Sequence, residues 1–147
     1  MKTKILMLLC VVFAAFSTAK ADDGKQINFN ELPVKAQQMI KAHFPNQNIS
    51  YALQDEEDLF SKEYDVVFTD GSKIDFDAKG NWTSISMKNA SVPSSLILPG
   101  IKAYVGQTYP NQQIVKIEND RRDYEVKLDN NLELKFDKKG KFMRIDR

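Results

Sequence analysis

The 147-residue sequence predicts an α+β fold: a tandem repeat of two helix-plus-four-stranded antiparallel units forming one extended sheet with both helices on one face. Three observations predict it. FPNQNI at 44–49 returns almost unchanged as YPNQQI at 109–114. Around each sextet the apolar spacing changes from steps of three and four to strict alternation, as a helix giving way to strands would require. Turn signals then recur 60 residues apart: Asp70-Gly71 with Asn130-Asn131, and Asp77-Ala78-Lys79-Gly80 with Asp137-Lys138-Lys139-Gly140. Each suits a tight or bulged hairpin. Only two copies exist, which argues for a pair of units over a solenoid.

The chain opens on Lys2 and Lys4, an apolar run from Ile5 to Phe16, and Ala19-Lys20-Ala21. That pattern reads as a secretory signal peptide, residues 1–21, removed after Ala21; the run is too short for a membrane span. A first unit is expected at 22–87. Leu32-Pro33 opens its helix, since a proline in the first turn needs no amide donor. Ala36, Met39, Ile40, His43 and Phe44 share one face, and Pro45 should stop the helix near Phe44. Strands follow at 49–54, at Tyr64, Val66 and Phe68, at Ile74 and Phe76, and from Trp82 to Ile85. Residues 88–97, KNASVPSSLI, read as a connector.

A second unit is expected at 98–147. Leu98-Pro99 opens the helix, Ile101, Tyr104, Val105, Thr108 and Tyr109 line its face, and Pro110 ends it. Strands are expected at 114–119, at Tyr124, Val126 and Leu128, at Leu134 and Phe136, and from Phe142 to Ile145. Asp65, Lys73, Asp75, Glu125, Lys127, Glu133 and Lys135 fall on the opposite face, expected to meet water. Trp82 poses a conflict. If it joins Phe76 on the core face, strict alternation sends Ile85 and Met87 to the other side.

Charge and composition exclude several classes. Loss of Lys2, Lys4 and Lys20 takes 21 basic residues to 18 against 20 acids, a net charge of −2. Nucleic acid and anionic membrane are poor partners for that balance. The only cysteine, Cys10, leaves with the signal, so disulfides and thiolate metal sites are excluded. His43 is the only histidine, too little for a hydrolytic triad. No enzyme activity, cofactor or metal is expected. The acids Asp55, Glu56, Glu57 and Asp58 lack the alternating ligands, central glycine and terminal glutamate of an EF-hand loop.

These residues carry a resemblance. An exported chain with two copies of LP, helix, [FY]PN, Y-x-V, a turn, and F-D-x-x-G at 76–80 and 136–140 resembles the PepSY-like family of periplasmic proteins common in Bacteroidetes, similar in fold to beta-lactamase inhibitor protein. The resemblance implies a curved sheet surface and an inhibitory or binding role, with a loop of the first unit inserted into a target. This chain departs from the inhibitor protein in lacking its disulfides.

Fifteen residues separate Ile49 from Tyr64 but ten separate Ile114 from Tyr124, so the first hairpin is longer by five. It holds Asp55, Glu56, Glu57 and Asp58 beside Leu59 and Phe60, and with Trp82 these are the candidate partner contacts. The expected function is a non-enzymatic exported binding module, an inhibitor of or adaptor for another periplasmic or secreted protein, as a monomer. The alternative is an envelope-associated binder of a small molecule or cell-wall material on the concave sheet face.

Overall fold

The computed structural model describes residues 24–58 and 61–146, with backbone alone at 57 and 58; the expected signal segment lies outside the described residues. Among these residues nine strands form one antiparallel sheet in chain order: β1 (Lys25–Ile27), β2 (Ile49–Asp58), β3 (Ser61–Phe68), β4 (Lys73–Phe76), β5 (Trp82–Ser86), β6 (Ile114–Asn119), β7 (Asp123–Leu128), β8 (Glu133–Asp137) and β9 (Phe142–Asp146). Helix α1 (Val34–His43) connects β1 to β2, and α2 (Pro99–Thr108) connects β5 to β6. Both stop where proline requires: Phe44 and Tyr109 are the C-caps, their amides donating to Ile40 and Val105 carbonyls at 2.8 Å.

The tandem repeat of two helix-plus-four-stranded units is not what the chain forms; the structure is a single nine-stranded antiparallel sheet carrying two short helices. Two findings overturn the expectation. β5 pairs directly with β6, through Ser84 with Glu118, Ile85 with Ile117 and Ser86 with Lys116, so no sheet edge divides the molecule. Residues 25–27 also add a strand, pairing Ile27 with Ala52. The physical cause is the hydrogen-bonding capacity of open edges, which costs free energy if buried unmet. One apolar cluster runs the whole length, from Ile27 through Ile40, Phe68, Ile85 and Ile101 to Phe136.

That cluster is the core-facing side of the sheet under the helices. Phe44 at the end of α1 stacks on Phe68 of β3, ring centroids 5.5 Å apart. Tyr104 of α2 lies flat on Phe142 of β9 at 4.3 Å and edge-on to Phe136 of β8 at 5.5 Å. A β-bulge resolves the conflict at Trp82. Phe76 pairs with Trp82 and Ile74 with Ile85, so β5 spends three residues where β4 spends two. The extra residue restores Ile85 to the apolar face, where it is fully buried, while Trp82 packs partly buried on the same side.

Two glycines let the turns reach the helices. Gly80 holds φ +83° in the turn after β4, and a Cβ there would lie 2.8 Å from Cβ of Pro33 and 3.0 Å from the amide nitrogen of Ala36. A side chain at Gly100 would meet the Gly140 carbonyl oxygen at 2.7 Å. Gly106, inside α2, has nothing within 4 Å of its Cβ position. Gly80→Ala should therefore lower unfolding free energy by about 2 kcal/mol, through left-handed strain and the collision with α1. Gly106→Ala should raise it by roughly 0.5–1 kcal/mol, because alanine loses less chain entropy in a helix. Urea unfolding of the two variants checks the opposite signs.

Candidate functional site

The first hairpin is long because its strands outrun their neighbours. β1 accompanies β2 only as far as Gln54, opposite Lys25, and β4 accompanies β3 only as far as Tyr64, opposite Phe76. Beyond that row β2 and β3 continue as a two-stranded ribbon, pairing Asp55 with Glu63, Glu56 with Lys62 and Asp58 with Ser61. The expected hairpin loop is thus paired strand through Asp58. A register shift between Glu56 and Asp58 bends it near the tip. Glu56 is held by Gln54, whose amide donates at 2.9 Å, and lies 3.5 Å from Lys62.

Of the candidate contacts, Asp55 and Glu56 stand on this ribbon, Asp55 half-buried and Glu56 exposed. Glu57 and Asp58 end β2, and nothing is described of their side chains; Leu59 and Phe60 lie outside the described residues. Trp82 does not join them. It ends the row Gln54, Tyr64, Phe76, Trp82, three strand spacings or about 15 Å from β2, with its ring 6.5 Å from that of Tyr124. The structure therefore places Asp55 to Asp58 on the ribbon at one end of the sheet and sets Trp82 at the same end, apart from them.

Residue-type patterns missed a second feature, on the polar face. Asp65 and Asp75 are direct cross-strand partners, and Lys73 lies between them, its Nζ 2.8 Å from Oδ2 of Asp65 and 3.3 Å from Oδ1 of Asp75. The latter is an ion-pair distance without hydrogen-bond alignment, and Oδ1 of Asp75 is buried with no hydrogen-bond donor among the described residues. These side chains were expected to meet water, yet that of Asp65 is only 13% exposed. Leu53, directly opposite Asp65 on β2, is buried on the same face. The signal available in sequence was the equal distance of Asp65 and Asp75, five residues each, from Asp70 in the turn.

Burial sets the electrostatics here. Loss of hydration, reinforced by the charge of Asp65 and opposed by Lys73, pushes the Asp75 carboxyl up to about 6. Burial works against the Lys73 charge, but the hydrogen bond to Asp65 and the two carboxylates outweigh it and raise its pKa above the ordinary lysine value. Further along the face, burial and then Glu118 and Glu133 raise Glu125. Lys73, Asp75, Ser84, Ser86, Lys116 and Glu118 with Gly71 line a cleft of about 370 Å³. A second cleft, of about 390 Å³ and more apolar, opens where α1 meets β2, among Phe29, Ile40, Phe44, Pro45 and Ile49. Among the described residues no group of three or more His, Cys, Asp or Glu could hold a metal ion, and no helix is long and apolar enough to cross a membrane.

The model of a family described as beta-lactamase-inhibitor-like, PepSY-like matches residues 62–144. Three solved structures are similar over nearly their whole length. A protein of the DUF2874 family from Bacteroides vulgatus ATCC 8482, provisionally described as periplasmic, is 46% identical, with TM-score 0.80, covering 86% of this chain and 99% of that one. One from Bacteroides thetaiotaomicron, provisionally described as a calcium-regulated periplasmic protein, is 44% identical, with TM-score 0.81, covering 86% and 98%. A second Bacteroides vulgatus protein, provisionally described as periplasmic and of unknown function, is 38% identical, with TM-score 0.77, covering 84% and 100%. No curated protein matches the chain.

The Asp65, Lys73, Asp75 cluster makes stability pH-dependent with a definite sign. Asp75 holds its proton more tightly folded than unfolded, so its contribution favours the fold below about pH 4 and is lost as pH rises through about 6. Asp75→Asn should then stabilise the protein at pH 8, by on the order of 1 kcal/mol once solvent screening at this partly exposed site is allowed for. At pH 4 the two proteins should unfold alike. Urea denaturation at both pH values measures the difference, and an equal or larger gain at pH 4 contradicts the assignment.

Proposed function

The chain belongs to the PepSY-like family, and from that premise we propose that it is an exported, non-catalytic module that binds another periplasmic or secreted protein, as inhibitor or adaptor, after losing its signal peptide at Ala21. The family's description as beta-lactamase-inhibitor-like and the periplasmic descriptions of its structural relatives support this reading. The observation that carries it is the β2–β3 ribbon. Beyond Gln54 and Tyr64 it has no neighbouring strand on either side among the described residues, and an isolated two-stranded ribbon is marginal in water. A partner that packs on it supplies what the sheet does not.

Binding elements projected from a rigid scaffold are common, and this one has the needed chemistry. Asp55, Glu56, Glu57 and Asp58 would steer a basic partner. Leu59 and Phe60 would be its apolar anchors, each contributing roughly 1.5–3 kcal/mol on full burial. Trp82, partly exposed at the same sheet end, would be a secondary contact. One observation favours the alternative reading of a small polar or cell-wall ligand: the cleft of about 370 Å³ on the polar face, with two serine hydroxyls and charges of both signs.

Capture from periplasmic extract separates the two, using protein recovered from its host, whose mass should place the N-terminus at Asp22. Phe60→Ala should weaken capture about tenfold or more with no change in melting temperature, and Asp58→Lys should slow association and flatten its salt dependence. An early-melting Phe60→Ala, or one that captures the partner as well as the parent, removes the ribbon from the site; loss of capture on Ser84→Trp instead would move it to the polar face. Chelation is a separate check. Calcium regulation belongs to the description of one relative, and here EDTA should leave the melting temperature unchanged, whereas a metal supplying folding energy would lower it by several degrees.

A further inference from the structure

The two ends of the sheet are unlike. β1 is three residues long, and very short edge strands are one way proteins keep an open edge from pairing. β9 is five residues long, and among the described residues no strand pairs with its outer side. It also exposes apolar surface. Of the four large hydrophobic side chains exposed among the described residues, two are on β9: Met143 at 52% and Ile145 at 41%.

Pairing on β8 defines which part of β9 is regular. Phe136 is opposite Phe142 but Lys135 is opposite Arg144, a bulge that consumes Met143, after which Arg144 and Ile145 follow Lys135 and Leu134 in step. On the polar side Arg144 therefore faces a like charge, Lys135, across the ladder. Its carboxylate neighbour is Asp146 of its own strand, with Nε of Arg144 3.5 Å from Oδ1. The Arg144 side chain is 58% exposed and that of Asp146 35%, so both can meet another strand.

We propose that β9 is a self-pairing edge, and that two copies of this chain join there as an antiparallel dimer centred on Ile145. The sequence Arg-Ile-Asp selects that register. With Ile145 on the dyad, Ile145 meets Ile145 of the second copy on the apolar side, and Arg144 meets the second copy's Asp146 twice on the polar side. Moving the dyad one residue back sets Arg144 against Arg144; one residue forward sets Asp146 against Asp146. Opposite charges directly across an antiparallel ladder stabilise it and like charges oppose it, so the centred register is preferred over both neighbours. The nine-stranded sheets become one continuous sheet, and the monomer expected from sequence is the dissociated form. An isologous two-fold contact closes and leaves the short β1 strands as the two ends of the joined sheet.

Sedimentation velocity of the purified chain across a concentration series tests this. The parent should pass from monomer to dimer as concentration rises. Arg144→Asp and Asp146→Arg should each raise the dimer dissociation constant about tenfold or more, because symmetry places two like-charge pairs in each variant dimer. The double variant carrying both changes should return to within a few-fold of the parent. Ile145→Lys, at an exposed position, should remain folded by circular dichroism and stay monomeric. A parent that is monomeric at all concentrations, a double variant no better than the singles, or an edge that binds an extended peptide of another protein while the chain stays monomeric overturns the proposal.

Discussion

The antiparallel pairing of Ser84, Ile85 and Ser86 with Glu118, Ile117 and Lys116 is the constraint on which the rest of the structure depends. It removes two edges that would otherwise expose unmet amides and carbonyls at the centre of the molecule. It sets fully buried Ile85 against fully buried Ile117, so a single apolar face extends under both helices. The backbone around it is drawn in as well: the amides of Met87 and Val92 donate to the carbonyls of Val115 and Ile114 at 2.8 Å. Without that seam each ten-residue helix would have to cover an independent sheet. With it, α1 and α2 share one.

Helix ends and hairpin turns were legible in the sequence because each has a local cause. Pro45 and Pro110 stop α1 and α2 within a residue of where steric restriction places the stop, and Gly71, Gly80 and Gly140 adopt positive φ in their turns. One extended sheet was expected, but the strands that join its halves were not legible. Edge pairing between β5 and β6 uses backbone groups, which every residue but proline carries alike, so side-chain patterns do not report it. β1 was missed for a related reason: Lys25 and Gln26 are exposed and Ile27 alone points into the core. A bulge reverses strict alternation, so Trp82 and Ile85 could not be placed on one face by counting in twos.

At the candidate site the excess length was legible, but not its conformation. Acidic residues are poor strand formers, which favours a loop reading; the ladder with β3 imposes strand as far as Asp58 instead. The ribbon carries its acids beyond the rows where β1 and β4 pair, whereas Asp65 and Asp75 have comparable charge beside Lys73, with buried Leu53 opposite Asp65. Similar residue types therefore sit in different surroundings. On the ribbon, Glu56 is exposed and its ion pair with Lys62 is a surface one; at the sheet centre the charges are partly buried against one another, at a cost that burial makes visible in Asp75.

The sheet order follows the chain order without exception, and that has a kinetic consequence. Six of the eight strand pairings close only a short turn or hairpin tip, while two must close the longer segments 28–48 and 87–113 that carry the helices. Loop-closure entropy grows slowly with length, about 0.6 kcal/mol per doubling, and no closure has to thread another. Such a chain has low contact order for an all-antiparallel sheet, and hairpins can form before either longer loop closes. Refolding should therefore be quick, with the seam between β5 and β6 among the last contacts made, leaving two partly built edges facing each other until α2 settles.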